Sequence, residues 1–442
     1  MSTIQNWQIE DAKVKALDDL RVGLNTTCAR AMYQIDTDSA YYLSSQTIFK
    51  IDKQLRFLGK KLKDINKLKN KHLNPFDILI LQDVEKNFND LFIYHDFFNN
   101  PKTKLKFESF FSRLIGRKDA YKEYLQMLSP KNYPHEELDR QSELYHELTM
   151  RQVFPELILN NTTKNEKFKE LANKLESQLK QDAEFSIEFY KSIGLNGLEN
   201  ISSDFSPYPF SFSDDINELV ALNPDKLLCY RDKDGNYKFS NIDSKITLVH
   251  EFGHNLHSLL SKNLPEGLHG NSEQFLIYHH GISLEGVALA TEDFAVEYME
   301  NNRENFNFSD EDLDKARLQK IGYLAKKVPM IVFNLLEKRE YQEELSAYIP
   351  PQFKKHARVA LEEISNTRRV KTDHIIFDDI PFDEIMSRVR YIEGDKRIQP
   401  IVEKMKDKGY GANVILPALF HGCWSDVKAQ EKFIFDLYLP NL

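Results

Sequence analysis

Leucine, isoleucine and phenylalanine recur at three- and four-residue intervals between charged and amide side chains, from about residue 38 to residue 195. This spacing places the apolar positions on one face of an α-helix. Prolines between the periodic runs mark helix ends, because the residue before a proline is pushed out of the helical region. The pattern therefore predicts a series of amphipathic helices, among them Thr47 to Leu68, Asp77 to Phe98, Lys104 to Leu128 and Lys164 to Tyr190.

The composition changes at Ile201 to Ser213, where serine, proline and phenylalanine replace the charged helical pattern. This change predicts a boundary or hinge that divides the chain into an N-terminal helical lobe, 1–205, and a second lobe, 206–442. Residues 226–240 then contain two short runs rich in leucine, tyrosine and phenylalanine around Asp234-Gly235. Such a pattern predicts a β-hairpin, and it is the only strong strand signal along the chain.

Helical periodicity resumes after the hairpin and continues to the C-terminus. We expect the helices to break at prolines, including Pro400 and Pro417, because proline lacks the backbone donor that a helix interior requires. The predicted fold class is therefore mainly α, with one small hairpin.

The chain has 442 residues, of which 41% are hydrophobic and 29% are charged, so a folded globular protein is expected. Its net charge of −9 argues against nucleic acid as a partner, because binding to phosphates requires a basic surface. Three dispersed cysteines without a CxxC spacing fit a reducing compartment. Neither a signal peptide nor an apolar stretch of membrane-spanning length is recognisable, so a cytoplasmic protein without a membrane anchor is expected.

One segment, ITLVHEFGHNLHSLL over residues 246–260, combines a helical apolar stripe with groups that bind metals. His250 and His254 are four positions apart, so both imidazoles leave the same side of the predicted helix and can share one metal ion. Glu251 lies beside them. This is the HExxH arrangement, in which two histidines bind Zn²⁺ and the glutamate takes a proton from the metal-bound water.

The third ligand of a catalytic zinc site must come from elsewhere in the chain. Ile282 to Glu300 reads as a second amphipathic helix with Ser283 as its N-cap, and Glu285 stands in its first turn. We assign Glu285 as the third ligand. Glu292, two turns later, is expected to support the site by bonding to a ligating histidine.

Other residues remain alternatives for the third ligand. Glu273 follows His254 by nineteen residues but is preceded by a loop-like sequence. His279 and His280 precede the second helix and would complete an all-histidine site or line a pocket. A third ligand on the first helix strains tetrahedral geometry, so His257 is expected to support the site or to be packed.

Residues 226–261, including LLCYRDKDGNYKFSNIDSKITLVHEFGHNLHSLLS, resemble the active-site region of the thimet oligopeptidase and mitochondrial intermediate peptidase family of zinc peptidases, which are gluzincins. In that family a glutamate on the next helix is the third ligand, and another follows seven residues later, as Glu285 and Glu292 do here. The resemblance implies a helical, two-lobed body with zinc at the floor of a deep cleft that admits short unfolded peptides. The expected activity is hydrolysis of oligopeptides, with one zinc ion as cofactor and Glu251 as general base.

Hydrolysis of a peptide bond also requires a donor to the oxyanion of the tetrahedral intermediate. Ser387 to Gly394 lies about as far after the HExxH segment as the family's donor tyrosine, which makes Tyr391 the first candidate. His421 is the second candidate. Arg388 or Arg390 would hold a substrate carboxylate.

Two alternatives remain at this stage. One is a selective protease that acts on a single protein target, such as an effector. The other is a helical binding protein whose metal site is only structural, since structural zinc sites are closed to water. The sequence does not determine the oligomeric state, although a monomer is favoured. A peptide substrate is the expected partner of the oligopeptidase.

Overall fold

The structure is a computed structural model of the chain. It describes residues 7–37, 57, 60–99, 152–153, 166–206, 211–214, 217–231, 237–240, 242–269, 278–306, 308–309, 313, 316 and 382–442. The predicted helix over Lys104 to Leu128 lies outside these residues, as does residue 273.

Helices dominate the described residues, so the predicted mainly α class is confirmed. The helices are α1 Ala12–Thr37, α2 Pro75–Asn99, α3 Glu166–Ser192, α4 Ile242–Ser261, α5 Tyr278–Asn301, α6 Arg303–Phe306, α7 Phe382–Asp407, α8 Ala412–Leu419 and α9 Val427–Lys432. Two of the predicted amphipathic helices correspond to α2 and α3, and residues 60–68 form the end of a third. In this described part of the chain, every helix is too short or too polar to cross a lipid bilayer.

Within the described residues, two three-stranded sheets accompany the helices. Their strands are β1 Gln152–Val153, β2 Ser202–Phe205, β3 Phe212–Asp214, β4 Leu219–Leu222, β5 Leu228–Arg231 and β6 Tyr237–Ser240. Strands β5 and β6 pair antiparallel, with Leu228 opposite Ser240 and Arg231 opposite Tyr237, which confirms the predicted hairpin. The short strand β1 pairs with the other edge of β5.

The second sheet was not predicted, and its strands β2 and β3 occupy the segment interpreted as a hinge. Strand β4 lies at its centre, parallel to β2 and antiparallel to β3. Val220, Ala221 and Leu222 of β4 are buried. An apolar run of four residues cannot be distinguished from a piece of helix by periodicity, so burial identifies this strand only in the structure.

Two prolines expected to interrupt helices lie inside them instead. Helix α7 continues through Pro400, and α8 contains Pro417. A proline in a helix interior costs about 3 kcal/mol, whereas burying one large aliphatic side chain contributes about 1.5–3 kcal/mol. Several aliphatic side chains flank each proline and are buried, so packing outweighs the local preference; they are Ile398, Ile401, Val402, Met405, Ile415, Leu416 and Leu419.

The chain divides into two units that are discontinuous in sequence. The first consists of Met1–Asp119, Leu256–Val287 and Lys396–Leu442, and the second of Ala120–Asn255 and Ala288–Asp395. In the first unit α1 packs against α2, and the short 3₁₀ turn Glu266–Leu268 packs against α1. The lobe boundary expected at residues 205 and 206 stays a prediction.

A buried ion triad holds together distant segments of the first unit. The Arg21 guanidinium bonds to the carboxylates of Asp18 on its own helix and Asp83 on α2, and all three side chains are almost fully buried. The backbone N–H of Asp426 donates to Asp83 at 2.7 Å, and that of Gly267 donates to Asp18 at 3.3 Å. One cation therefore supports two carboxylates that anchor two loops.

Replacing Arg21 with methionine leaves both buried carboxylates without their cation, so we expect the free energy of unfolding to fall by about 3–5 kcal/mol. Urea denaturation at neutral pH measures this loss. Lys174→Met is the matched control, because the Lys174–Glu170 pair on α3 is exposed and such pairs contribute about 0.3–0.5 kcal/mol. Equal losses in the two variants would contradict the role assigned to the triad.

Candidate metal centre

The two histidines of the HExxH segment lie in the middle of α4, which is buried on all sides. Every residue from Leu248 to His257 is buried, as expected for a helix in the interior. His250 and His254 are each 6% exposed, and their ring centroids are 4.8 Å apart in an edge-to-face arrangement. Both imidazoles therefore leave the same side of the helix, as their spacing predicts.

Helix α5 brings a carboxylate to these two histidines. One donor atom from each of His250, His254 and Glu285 lies within 4.8 Å of the others, and all three residues are buried. Glu285 is 3% exposed. The structure therefore brings together the three residues assigned as ligands from the sequence.

The start of α5 differs from the prediction. The helix begins at Tyr278, so Ser283 lies inside it, buried, and is not an N-cap. Glu285 consequently stands in the second turn, and the backbones of His279 and His280 belong to the first turn instead of preceding the helix. A buried serine at an internal position resembles a cap in sequence, because both precede an apolar run. Glu273, the remaining alternative ligand, lies outside the described residues.

Glu292 contacts one of the metal-ligand candidates directly. Its Oε1 lies 2.7 Å from Nδ1 of His250, and both residues are buried. If Nδ1 carries the proton and donates to the carboxylate, Nε2 of His250 has a lone pair available for a metal ion. A carboxylate in this position also fixes the ring orientation and increases the basicity of the imidazole.

A tyrosine on α3 supports the same region and was not recognised from the sequence. The Tyr190 hydroxyl donates to the backbone carbonyl of Val249 at 2.6 Å. Burial raises the pKa of Tyr190 well above its usual value, so the phenol is protonated and able to donate. Tyr190 is 59 positions from Val249, and helical periodicity alone predicts only that it faces the core.

Among the residues proposed for catalysis and substrate binding, the structure describes the side chains of some and only the backbones of others. Glu251 follows His250 on α4 and is 9% exposed. The ring of Tyr391, on α7, stacks on that of His250 with centroids 6.1 Å apart and an interplanar angle of 21°. The backbones of Arg388 and Arg390 belong to α7, and their side chains lie outside the described part of the structure.

His257 and His421 have partners away from the proposed ligands. Nε2 of the buried His257 lies 3.0 Å from the carbonyl of Gly422, and Cys423 Sγ is 3.6 Å away. Nδ1 of His421 donates to the carbonyl of Pro417 at 2.5 Å, and burial lowers the pKa of His421. Neutral His421 with its proton on Nδ1 has an acceptor at Nε2, which argues against its role as an oxyanion donor.

The donor set fits a divalent transition metal. Two imidazoles and one carboxylate are ligands that zinc accepts, and three protein ligands leave a position for water. Tetrahedral ligands about 2.1 Å from an ion lie roughly 3.4 Å apart, so side-chain movements of about 1 Å would bring the three donors into range. The same donor set also suits ferrous iron. The ligands therefore indicate a divalent transition metal and are compatible with either ion.

Comparison of this chain with family models, with curated proteins and with solved structures finds no match. The resemblance of residues 226–261 to the oligopeptidase family therefore stays a prediction.

Glu285→Ala removes the only carboxylate of the three proposed ligands, so we expect zinc affinity to fall at least 100-fold while the fold is retained. Competition with a chromophoric zinc chelator measures the affinity. Glu297→Ala changes an exposed carboxylate on the same helix and serves as the control. If both variants bind zinc as tightly as the wild type, Glu285 is not a ligand.

The burial of His257 leads to a separate prediction about how folding stability depends on pH. Burial lowers its pKa to about 4 from an ordinary value of 6.5, so the unfolded chain takes up a proton first as the pH falls. The folded state therefore loses about 3 kcal/mol between pH 6.5 and pH 4 through this group alone.

The His257→Gln variant keeps an amide donor for the carbonyl of Gly422 but does not titrate in this range. Urea denaturation of metal-free protein at several pH values should show a flatter loss of stability toward low pH in His257→Gln than in the wild type. Identical pH dependence in the two proteins would show that His257 is protonated equally in the folded and unfolded states.

Proposed function

We propose that this protein is a zinc-dependent metallopeptidase that hydrolyses oligopeptides. The observation that carries the proposal is the convergence of Glu285 on His250 and His254, because this carboxylate comes from a different helix. Two histidines four positions apart are common on helices. A buried carboxylate within reach of both imidazoles, together with a glutamate next to the first histidine, is the ligand and base set of a zinc peptidase.

His250, His254 and Glu285 would hold the zinc ion. When bound, zinc would supply a Lewis acid and lower the pKa of a coordinated water toward neutrality. Glu251 is not among the three ligands and would act as the general base. Its carboxylate would accept the proton of the attacking water and later deliver that proton to the leaving amine.

Tyr391 is the proposed donor to the oxyanion that forms on the substrate carbonyl. Its stacking on His250 supports this role, because it places the tyrosine beside the proposed ligands. A phenol donates a hydrogen bond at neutral pH, and removing one such donor typically reduces kcat about 100- to 1000-fold. Arg388 precedes Tyr391 by one helical turn, and it or Arg390 would pair with a substrate carboxylate.

The wider proposal follows the family resemblance. It includes a two-lobed body with the zinc at the floor of a cleft, short unfolded peptides as substrates, and a cytoplasmic location. Cys423 is buried and does not form a disulfide, which agrees with a reducing compartment.

Glu251→Gln tests the proposed mechanism, because the amide occupies the same volume but cannot accept the proton. We expect hydrolysis of a quenched fluorescent peptide library to fall by several orders of magnitude in kcat/KM, with bound zinc unchanged by elemental analysis. Glu184→Gln, an exposed position on α3, should retain full activity.

Undiminished hydrolysis by Glu251→Gln would eliminate Glu251 as the general base. Bound zinc without hydrolysis of any peptide would support a purely structural site instead. Cleavage of one intact protein, without cleavage of short peptides, would favour a selective protease.

A further inference from the structure

Tyr190 joins the two helices of the candidate metal centre through its hydroxyl group. The hydroxyl donates to the carbonyl of Val249 on α4, and the side chain of Thr291 on α5 also hydrogen-bonds to it. A carbonyl oxygen can only accept, so the phenol proton points to Val249 and the phenol oxygen accepts from the Thr291 hydroxyl. Tyr190, Val249 and Thr291 are all fully buried.

Both partners of Tyr190 are immediate chain neighbours of the hydrogen-bonded residues His250 and Glu292. Val249 precedes His250 in the chain, and Thr291 precedes Glu292. The His250–Glu292 bond of 2.7 Å and the path from Thr291 through Tyr190 to Val249 therefore connect the same two points of α4 and α5. Two connections restrict the relative movement of the helices more than either connection alone.

The position of α5 also determines the position of Glu285. Glu285 and Glu292 are seven residues apart, which is close to two helical turns, so both lie on the same face of α5. A shift or rotation of α5 that lengthened the Glu292–His250 bond would also move the Glu285 carboxylate relative to the two imidazoles. The spacing of the helices therefore affects one ligand directly and the orientation of another.

Tyr190 is itself held in place by a second contact between α3 and α4. Asp182, two turns before Tyr190 on the same face of α3, accepts hydrogen bonds from Ser244 and Lys245 near the start of α4. Asp182 is fully buried. The tyrosine thus extends from a helix that is already fixed to α4 by buried polar contacts.

We propose that Tyr190 is a positioning residue for the metal centre, whose hydroxyl holds α4 and α5 at the spacing that zinc binding requires. This inference rests on the metal site of the proposed function. It goes beyond that function by assigning a role to a residue that is not one of the three proposed ligands. A residue that only fills the core would affect folding stability but not the zinc affinity of the folded protein.

Tyr190→Phe removes the hydroxyl and keeps the ring. We expect the dissociation constant for zinc, measured by chelator competition on the folded full-length chain, to rise about 10- to 100-fold. Tyr298→Phe is the matched control, because Tyr298 is a half-buried tyrosine on α5 whose ring packs against Phe185 and Phe189. The control should bind zinc within about twofold of the wild type. Equal affinities for Tyr190→Phe and Tyr298→Phe would overturn the inference.

Thr291→Val provides a second test if Tyr190→Phe does not fold. It removes the other hydroxyl of the path at nearly constant volume, and we expect a smaller rise in the zinc dissociation constant. The effect of combining the Tyr190 or Thr291 change with Glu292→Gln should differ from the sum of the single changes, because both connections act on the same helix spacing. Full additivity would show that the hydroxyl path is independent of the His250–Glu292 hydrogen bond and would contradict the proposal.

The outcomes separate this inference from the proposed function. If the wild-type chain binds zinc but hydrolyses no peptide, the proposed peptidase activity is wrong. The zinc affinity of the Tyr190→Phe variant then still tests the role of Tyr190. A wild-type chain that binds zinc and loses no affinity with Tyr190→Phe or Thr291→Val defeats only the positioning role. A chain that binds no zinc defeats both.

Discussion

The hydrogen bond between His250 and Glu292 is the interaction on which the candidate site depends. It joins α4, which carries two imidazoles, to α5, which carries the carboxylates, at a distance of 2.7 Å between buried groups. Neither helix contains the whole ligand set. A metal ion can therefore contact all three ligands only when the two helices lie at a suitable spacing, and a buried hydrogen bond to a carboxylate provides a specific way to maintain that spacing.

Because the side chains of the site are buried, each ionisable group there needs a partner. Ionisable side chains removed from water must be paired, bonded or coordinated, because the cost of an unpaired buried charge exceeds the gain from most single contacts. The chain meets this requirement repeatedly, with Arg21 between two carboxylates and Asp182 between a serine and a lysine. Among the described residues, His250, His254 and Glu285 form a buried group that could hold a metal cation.

Local sequence patterns predicted those parts of the site whose residues lie on a single helix at a regular spacing. The apolar stripe of α4 placed His250 and His254 on one side, and the family resemblance together with the seven-residue spacing pointed to Glu285 and Glu292. The start of α5 was predicted too late in the chain because a buried serine was interpreted as a cap.

The features that were missed depend on tertiary contacts. The strands of the second sheet are three or four residues long, so they contain too few positions for an alternating pattern. Pro400 and Pro417 remain helical because buried neighbours outweigh the local cost. Tyr190 reaches Val249 across 59 positions, and no local pattern connects them.

The most direct test of the metal centre is an anomalous difference map from crystals of the zinc-loaded protein, recorded at the zinc absorption edge. We expect a peak within bonding distance of side-chain atoms of His250, His254 and Glu285. A peak at other residues, or no peak, would rule out this metal centre.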